Sequence, residues 1–313
     1  MNDILVSVCC QTYNQKDFIR ECLNGIVNQQ TNFTFEVLVN DDASQDETTQ
    51  IVKEFEERYP HLFINFYQTQ NQSTIQNALI NVLFRNAKGK YIALCDGDDC
   101  WLDPFKLQKQ IDFLEANTDY SICGHESMVK NYLSDVNDMY FSNFRSIDVK
   151  NEYTPYNFFK VDYICQTSTI VFRNQKIFFD KKIYDMFRKC INGDMAIYMI
   201  LIHYGKFYFM TDAMSVYNIR TNSFTSKIVK SKVIDSYRDI INSYNIISSF
   251  FNHKFGNEIN AKKLEFFDKM LFRKVDYPSK KVFYKDLLIF VFSNRYGKMN
   301  FFKKIKYVML SNF

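Results

Sequence analysis

Residues 91–115 read YIALCDGDDCWLDPFKLQKQIDFLE. The run opens on five apolar or small residues with the branched and aromatic content of a strand, and it ends in Asp96-Gly97-Asp98-Asp99. Pro104 then closes the loop, and Leu107, Ile111 and Leu114 recur at helical spacing along the buried side of an amphipathic helix. Three carboxylates within four residues repel one another unless a cation sits among them. A hard divalent ion with oxygen ligands relieves that repulsion. An Asp-rich turn alone is most often an inert surface feature. Here an apolar strand aims the cluster and Cys100-Trp101-Leu102 follows directly behind it. A calcium loop of the helix–loop–helix kind is ruled out by the spacing of its Gly and distal Glu.

Working outward, the same strand-then-helix alternation fills the first hundred residues. Ile4–Cys10, Phe35–Asn40 and Phe63–Tyr67 read as strands. Phe18, Cys22 and Ile26 share one helical face, as do Ile51, Val52 and Phe55, and then Ile75, Leu79 and Val82. Repeated strand–helix–strand units imply parallel strands with right-handed crossovers, hence an α/β sheet covered by helices. Ligands of such sheets bind beyond the carboxyl ends of the strands. Those ends carry Gln11-Thr12-Tyr13-Asn14, Asn40-Asp41-Asp42-Ala43-Ser44 and the cluster at 96–99.

The turn after the first strand, QTYNQKDF, contains no glycine. A dinucleotide fingerprint requires a glycine-rich turn there, and no phosphate-binding P-loop occurs, so nicotinamide and ATP chemistry are disfavoured. Asp41-Asp42 precedes a helix. Ser44 with Glu47 three residues on has the spacing of a capping box, which leaves the two Asp residues unaccounted for. A carboxylate at that strand end can accept the imide proton of a uracil ring. Gly193-Asp194 enters another helix, where Asp194 is either a cap or a general base for an acceptor hydroxyl.

Further along, Gln166–Arg173 and Lys206–Met210 read as strands and Gly193–His203 as a helix. A long amphipathic helix is expected over 228–255, with others near 258–275, 280–293 and 300–310. Charge divides unevenly. Residues 1–224 carry 21 Lys and Arg against 28 Asp and Glu, whereas residues 225–313 carry 18 against 7. A basic last third suits a polyanionic or membrane-surface partner as readily as a solvated helical face. The mixed basic and apolar run from Phe301 to Val308 resembles an interfacial helix. The eight cysteines form no CxxC pair, and no apolar run reaches the roughly 18 residues of a membrane span. With no secretory leader read at the start, the expectation is a cytoplasmic protein with thiols as small core residues.

Taken together, these motifs resemble glycosyltransferase family 2, the inverting enzymes of GT-A fold, from about Ile4 to about Ser226. VSVCCQTYN is similar to the family's first strand and turn, and VLVNDDASQDET to its second strand and acidic nucleotide-binding turn. The run from Lys88 to Glu115 resembles its metal-binding DXD stretch, and NGDMAIYMILIHYGK its catalytic helix. The resemblance implies that Thr12, Tyr13, Asn14 and Asp42 meet the nucleoside. It implies that Asp96 lies near ribose or diphosphate, and that Asp98 and Asp99 hold Mn²⁺ or Mg²⁺ with its diphosphate. It makes Asp194 the base for in-line displacement. In one place the chain departs from the pattern: where the family often has Tyr-Arg-x-His, it has Tyr217-Asn218-Ile219-Arg220. An arginine cannot ligate a metal but can hold a phosphate.

The expectation is therefore a GT-A catalytic domain over 1–226 and a basic, mostly helical extension over 227–313. Its donor would be a UDP-hexose or N-acetylhexosamine. Its acceptor would be a glycan or lipid-linked glycan of a bacterial surface, met at the inner face of the membrane. Two other classes compete: a sugar nucleotidyltransferase, which needs a glycine-rich basic first turn, and a binding protein without turnover. The acidic body argues against nucleic acid.

Overall fold

A computed structural model of the chain describes residues 3–72, 79–132, 139–141, 151–160, 164–187, 193–220 and 233–272. The elements of the first half are β1 (Val6–Thr12), α1 (Ile19–Val27), β2 (Phe35–Asp41), α2 (Thr48–Arg58), β3 (Phe63–Tyr67), a π-helical turn (Leu79–Phe84), β4 (Tyr91–Asp96) and β5 (Cys100–Trp101). There follow α3 (Lys106–Ala116), β6 (Tyr120–Asn131), β7 (Met139–Phe141), β8 (Glu152–Tyr153), α4 (Pro155–Phe158), β9 (Val171–Arg173), α5 (Lys181–Phe187), α6 (Gly193–Leu201) and β10 (Lys206–Ile219). Two helices close the described chain, α7 (Val233–Phe250) and α8 (Gly256–Phe272).

One sheet runs β3-β2-β1-β4-β9-β6-β10-β5, with β7 on β6 and β8 on β10. Strands β3, β2, β1 and β4 are parallel, as the alternating periodicities require. Strand β9 runs antiparallel to both neighbours, β4 and β6. It joins the first parallel half to a second parallel pair, β6 and β10. The reversal comes from pairing over long sequence separations, to which local pattern is blind.

The core lies where the apolar faces of α1, α2 and α3 meet one side of the sheet. Val8, Cys10, Val39, Leu23, Val52 and Leu107 are all fully enclosed there. Burying each such aliphatic side chain contributes about 1.5–3 kcal/mol. Seven of the cysteines are free and buried, as a reduced apolar role requires, and Cys190 lies outside the described residues. The Sγ of Cys22 is 3.6 Å from that of Cys95 and 4.0 Å from that of Cys10. Gly25 in α1 packs on the backbone of β5: a Cβ there would meet the Trp101 carbonyl oxygen at 2.6 Å. The helix and the strand beside the acidic turn are thereby held in direct contact.

Contacts divide the chain into two compact units. The first takes Met1–Lys189 and Gly193–Ser223, and the second takes Cys190–Asn192 and Phe224–Phe313. Within the second, α7 and α8 pack through aromatic rings, with Phe266 at 6.0 Å from Tyr244 and 6.1 Å from Tyr237. The helices expected at 280–293 and 300–310, the basic run at Phe301–Val308 and the position of Ile75 lie outside the described residues. Among the described residues, no helix is long and apolar enough to cross a membrane.

Candidate active site

Strand register gathers the three singled-out turns. Gln11 pairs with Asn40 on one side and Asp96 on the other, and Thr12 pairs with Asp41. Each strand runs one or two residues further than its apolar pattern suggests, so Thr12, Asp41 and Asp96 are the last residues of β1, β2 and β4. The acidic turns therefore flank the end of β1 at the carboxyl edge of the sheet, where such folds bind ligands.

The first two turns are zipped together. Asn14 sits at φ 50°, a left-handed conformation its short polar side chain tolerates. Its backbone N–H donates to Ser44 Oγ at 3.0 Å, and its Oδ1 accepts the Gln45 N–H at 2.7 Å. Asp41 accepts the Ser44 N–H at 3.0 Å and the hydroxyl of Thr49. Asp42 Oδ1 accepts the Gln72 N–H at 2.6 Å, and the Asp42 N–H donates to the Thr12 carbonyl at 3.0 Å.

The capping box read at Ser44 and Glu47 is not formed. Helix α2 begins at Thr48, and Asp46 Oδ1 accepts the Thr48 N–H at 3.0 Å. Ser44 is spent on Asn14, and Glu47 pairs with Lys16 at 2.7 Å on the surface. The cross-turn bonds hold Ser44 outside the first helical turn, so its spacing to Glu47 has no capping geometry to act on.

Gln15 joins the first turn to the start of α2, and sequence reading overlooked it. Its Oε1 accepts the Thr12 hydroxyl at 2.7 Å, and its N–H donates to Thr48 Oγ1 at 2.8 Å. Thr12 is thus buried with its hydroxyl engaged, while Tyr13 is exposed at the rim. Phe18, expected on the buried face of α1, stands just before the helix, makes no side-chain capping bond and is only half-buried.

In the third turn the Asp99 N–H donates to the Asp96 carbonyl at 2.9 Å, and Gly97 N–H to the Gln11 carbonyl at 2.9 Å. The end of β10 reaches over this turn. Asn218 N–H donates to Asp99 Oδ1 at 3.2 Å, and its Nδ2 to the Asp98 carbonyl at 2.7 Å. Arg220 places Nε and Nη2 each 2.7 Å from the same Asp98 oxygen, Oδ2. Asp99 is almost fully buried, and burial, followed by the charges of Asp98 and Asp96, holds its carboxyl well above the usual carboxylate range. Asp96 is pushed up to about 7 by burial, then by Asp98 and Asp194, with Arg220 opposing. That influence brings Asp194 into the same field. It lies in the first turn of α6, where its Oδ1 accepts the adjacent Met195 N–H at 2.8 Å.

Asp96, Asp98 and Asp99 share one turn and repel one another, and Asp194 adds to the field at Asp96 from α6. Hard carboxylate oxygens of this kind suit a divalent ion such as Mn²⁺ or Mg²⁺ in chemistry. As folded, Asp98 is turned to Arg220, and no three His, Cys, Asp or Glu side chains converge as a ligand set among the described residues.

A mixed sheet whose parallel strands end in acidic turns at its carboxyl edge defines a protein of the GT-A class. Residues 7–187 match the family described as Glycosyl transferase family 2, and the chain belongs to that family. The fold agrees with that of Staphylococcus aureus TarS in complex with UDP-GlcNAc, at a TM-score of 0.65 and 20% identity over 92% of this chain and 81% of that one. An uncharacterised protein of Mycobacterium tuberculosis is 40% identical over 120 residues, which is 38% of this chain and 34% of that protein. The UDP-Glc:alpha-D-GlcNAc-diphosphoundecaprenol beta-1,3-glucosyltransferase of Escherichia coli is 31% identical over 131 residues, 42% of this chain and 49% of the enzyme. The chain thus spans between a third and a half of the length of these two relatives.

Proposed function

We propose that this chain transfers a hexose-type sugar from a nucleoside diphosphate donor, most simply a UDP-sugar, to a hydroxyl of a glycan or lipid-linked glycan, with inversion. The observation that carries the reading is the acidic turn of Asp96, Asp98 and Asp99, with Arg220 on Asp98, at one sheet edge beside the paired turns of β1 and β2. The E. coli relative acts on a UDP-sugar and a diphosphoundecaprenol acceptor. TarS, with the same fold, binds UDP-GlcNAc. Both support this choice of donor, and the first supports the acceptor.

In this mechanism Tyr13, Asn14 and Asp42 receive the nucleoside, with Thr12 bracing the turn beneath them. Asp96 meets the ribose or diphosphate, and Arg220 can reach a phosphate. Asp194 takes the proton of the acceptor hydroxyl as its oxygen attacks the anomeric carbon opposite the departing diphosphate, a role worth about 10²–10⁴ in rate. A divalent cation held by Asp98 and Asp99 would neutralise charge developing on that leaving group. Residues 1–226 form the catalytic domain in this reading. The basic remainder, 227–313, meets the anionic membrane that carries the acceptor, at its cytoplasmic face.

Nucleotide release from UDP-, GDP-, dTDP- and CMP-sugars, with Mn²⁺ or with a chelator, tests the proposal. Release from one donor, lost on chelation, is expected. A chain that binds none of the donors is no transferase of this kind. Binding without release on any acceptor would favour a donor-binding protein lacking turnover.

A further inference from the structure

Arg220 and Asp98 are the best-enclosed ion pair of the site, at 15% and 17% side-chain exposure. Two nitrogens of the guanidinium converge on one carboxylate oxygen at 2.7 Å. The guanidinium also lies over the Phe18 ring at 5.5 Å, and that ring meets Tyr132 edge-on at 5.4 Å. The Tyr132 N–H donates to the Ile219 carbonyl at 2.9 Å, which ties the end of β6 to the residue preceding Arg220. Asn218 straps the same strand end to the Asp98 carbonyl and the Asp99 carboxylate. Arg220 is therefore held on three sides: by an anion, by an aromatic face and by its own anchored strand.

We infer that Arg220 is an exchangeable internal cation, which occupies Asp98 in the empty site and moves to the donor diphosphate when Asp98 takes a divalent ion. The inference rests on the donor-binding reading above and adds to it a coupling between the two ligands. A guanidinium and a divalent ion cannot share one carboxylate oxygen without strong like-charge repulsion. A metal that takes Oδ2 of Asp98 strips Arg220 from an enclosed carboxylate and leaves it without an anion, which is costly for a largely buried charge. A diphosphate supplies the replacement anion, and a planar guanidinium suits phosphate oxygens as well as it suits a carboxylate. The two ligands then bind well only together, and linkage makes the effect reciprocal: each tightens the other by the same factor.

The test is a Mn²⁺ titration of the full chain, following the free-ion electron paramagnetic resonance signal with and without UDP or GDP. In the wild type the nucleotide is expected to tighten Mn²⁺ binding at least tenfold. Arg220→Gln is expected to bind Mn²⁺ alone at least tenfold more tightly than wild type, and to lose most of the enhancement by nucleotide. Phe18→Leu keeps the ion pair and removes its aromatic platform, so it should tighten Mn²⁺ alone by about two- to fivefold. Thermal melts establish that both variants fold. Equal Mn²⁺ affinity of wild type and Arg220→Gln without nucleotide, or no measurable binding to either, overturns the exchange. So does a wild type whose Mn²⁺ affinity ignores a nucleotide that binds. Failure of both nucleotides to bind any variant, with or without Mn²⁺, removes the donor-binding reading itself.

Discussion

Gly97 lies so close to Thr12 that a Cβ on it would meet the threonine Cβ and Oγ1 at 2.8 Å, and Gln15 Oε1 at 2.5 Å. The glycine of the acidic turn is thus a packing requirement, because the turn after β4 rests on the turn after β1. Gly97→Ala should push the two apart, and overpacking of this kind costs about 1–3 kcal/mol. Because the clash falls on the Thr12–Gln15 hydrogen bond, donor affinity should fall alongside the melting temperature. A variant with wild-type stability and donor affinity would show that the turns yield without consequence.

What the sequence disclosed and what it concealed divide along chain distance. The first, second and fourth strands and the acidic turns beyond them are local patterns that period-two and helical spacing locate, short of their ends by one or two residues. Gln15 was invisible because its role consists of bonds to Thr12 and to Thr48, 33 residues away. Ser44 misled because a cross-turn partner, Asn14, outcompeted the helix for its hydroxyl. The Asp98–Arg220 pair spans 122 residues. Only the motif's expected His drew attention to that position, and nothing local indicated that the two would meet. Strand β9, antiparallel between parallel neighbours, is likewise a product of tertiary pairing.

Asp194→Asn should leave nucleotide affinity within about twofold and reduce transfer by about 10²–10⁴. The amide keeps an oxygen to accept the Met195 N–H, so the start of α6 should hold. Single-turnover transfer together with donor calorimetry checks this. Transfer at the wild-type rate would exclude Asp194 as the base.

Asp99→Ala should weaken donor binding in Mn²⁺ and also lower stability, because Asn218 N–H would lose its acceptor inside the protein. An orphaned buried donor costs about 1–3 kcal/mol. The two effects separate by comparing donor affinity across a Mn²⁺ titration with affinity in chelator. A loss confined to the metal-containing arm assigns Asp99 to the cation. Donor affinity that stays at the wild-type level throughout the titration would remove it from that role.

Lys106 offers a stability prediction independent of the site. It is fully enclosed at the start of α3, with Nζ 2.8 Å from Gln110 Oε1 and 4.0 Å from the centre of the Trp101 ring. Burial pushes its ammonium down to about 7, against the smaller opposing influence of the thiols of Cys95, Cys123 and Cys165. The unfolded chain holds this proton up to about pH 10.4. Between pH 7 and 10, then, unfolding takes up a proton, and the wild type gains stability as pH rises. Below pH 7 both states are charged, and the folded protein bears the whole penalty, on the order of 4–5 kcal/mol. Lys106→Met removes that penalty and forfeits the Gln110 bond and the ring contact, together worth about 2 kcal/mol. The variant should therefore be more stable than wild type by about 2–3 kcal/mol at pH 6, and the gap should close and then reverse as pH approaches 10. Urea melts of both chains at pH 6, 8 and 9.5 measure it, and a difference that stays constant across that range would mean Lys106 does not titrate inside the fold.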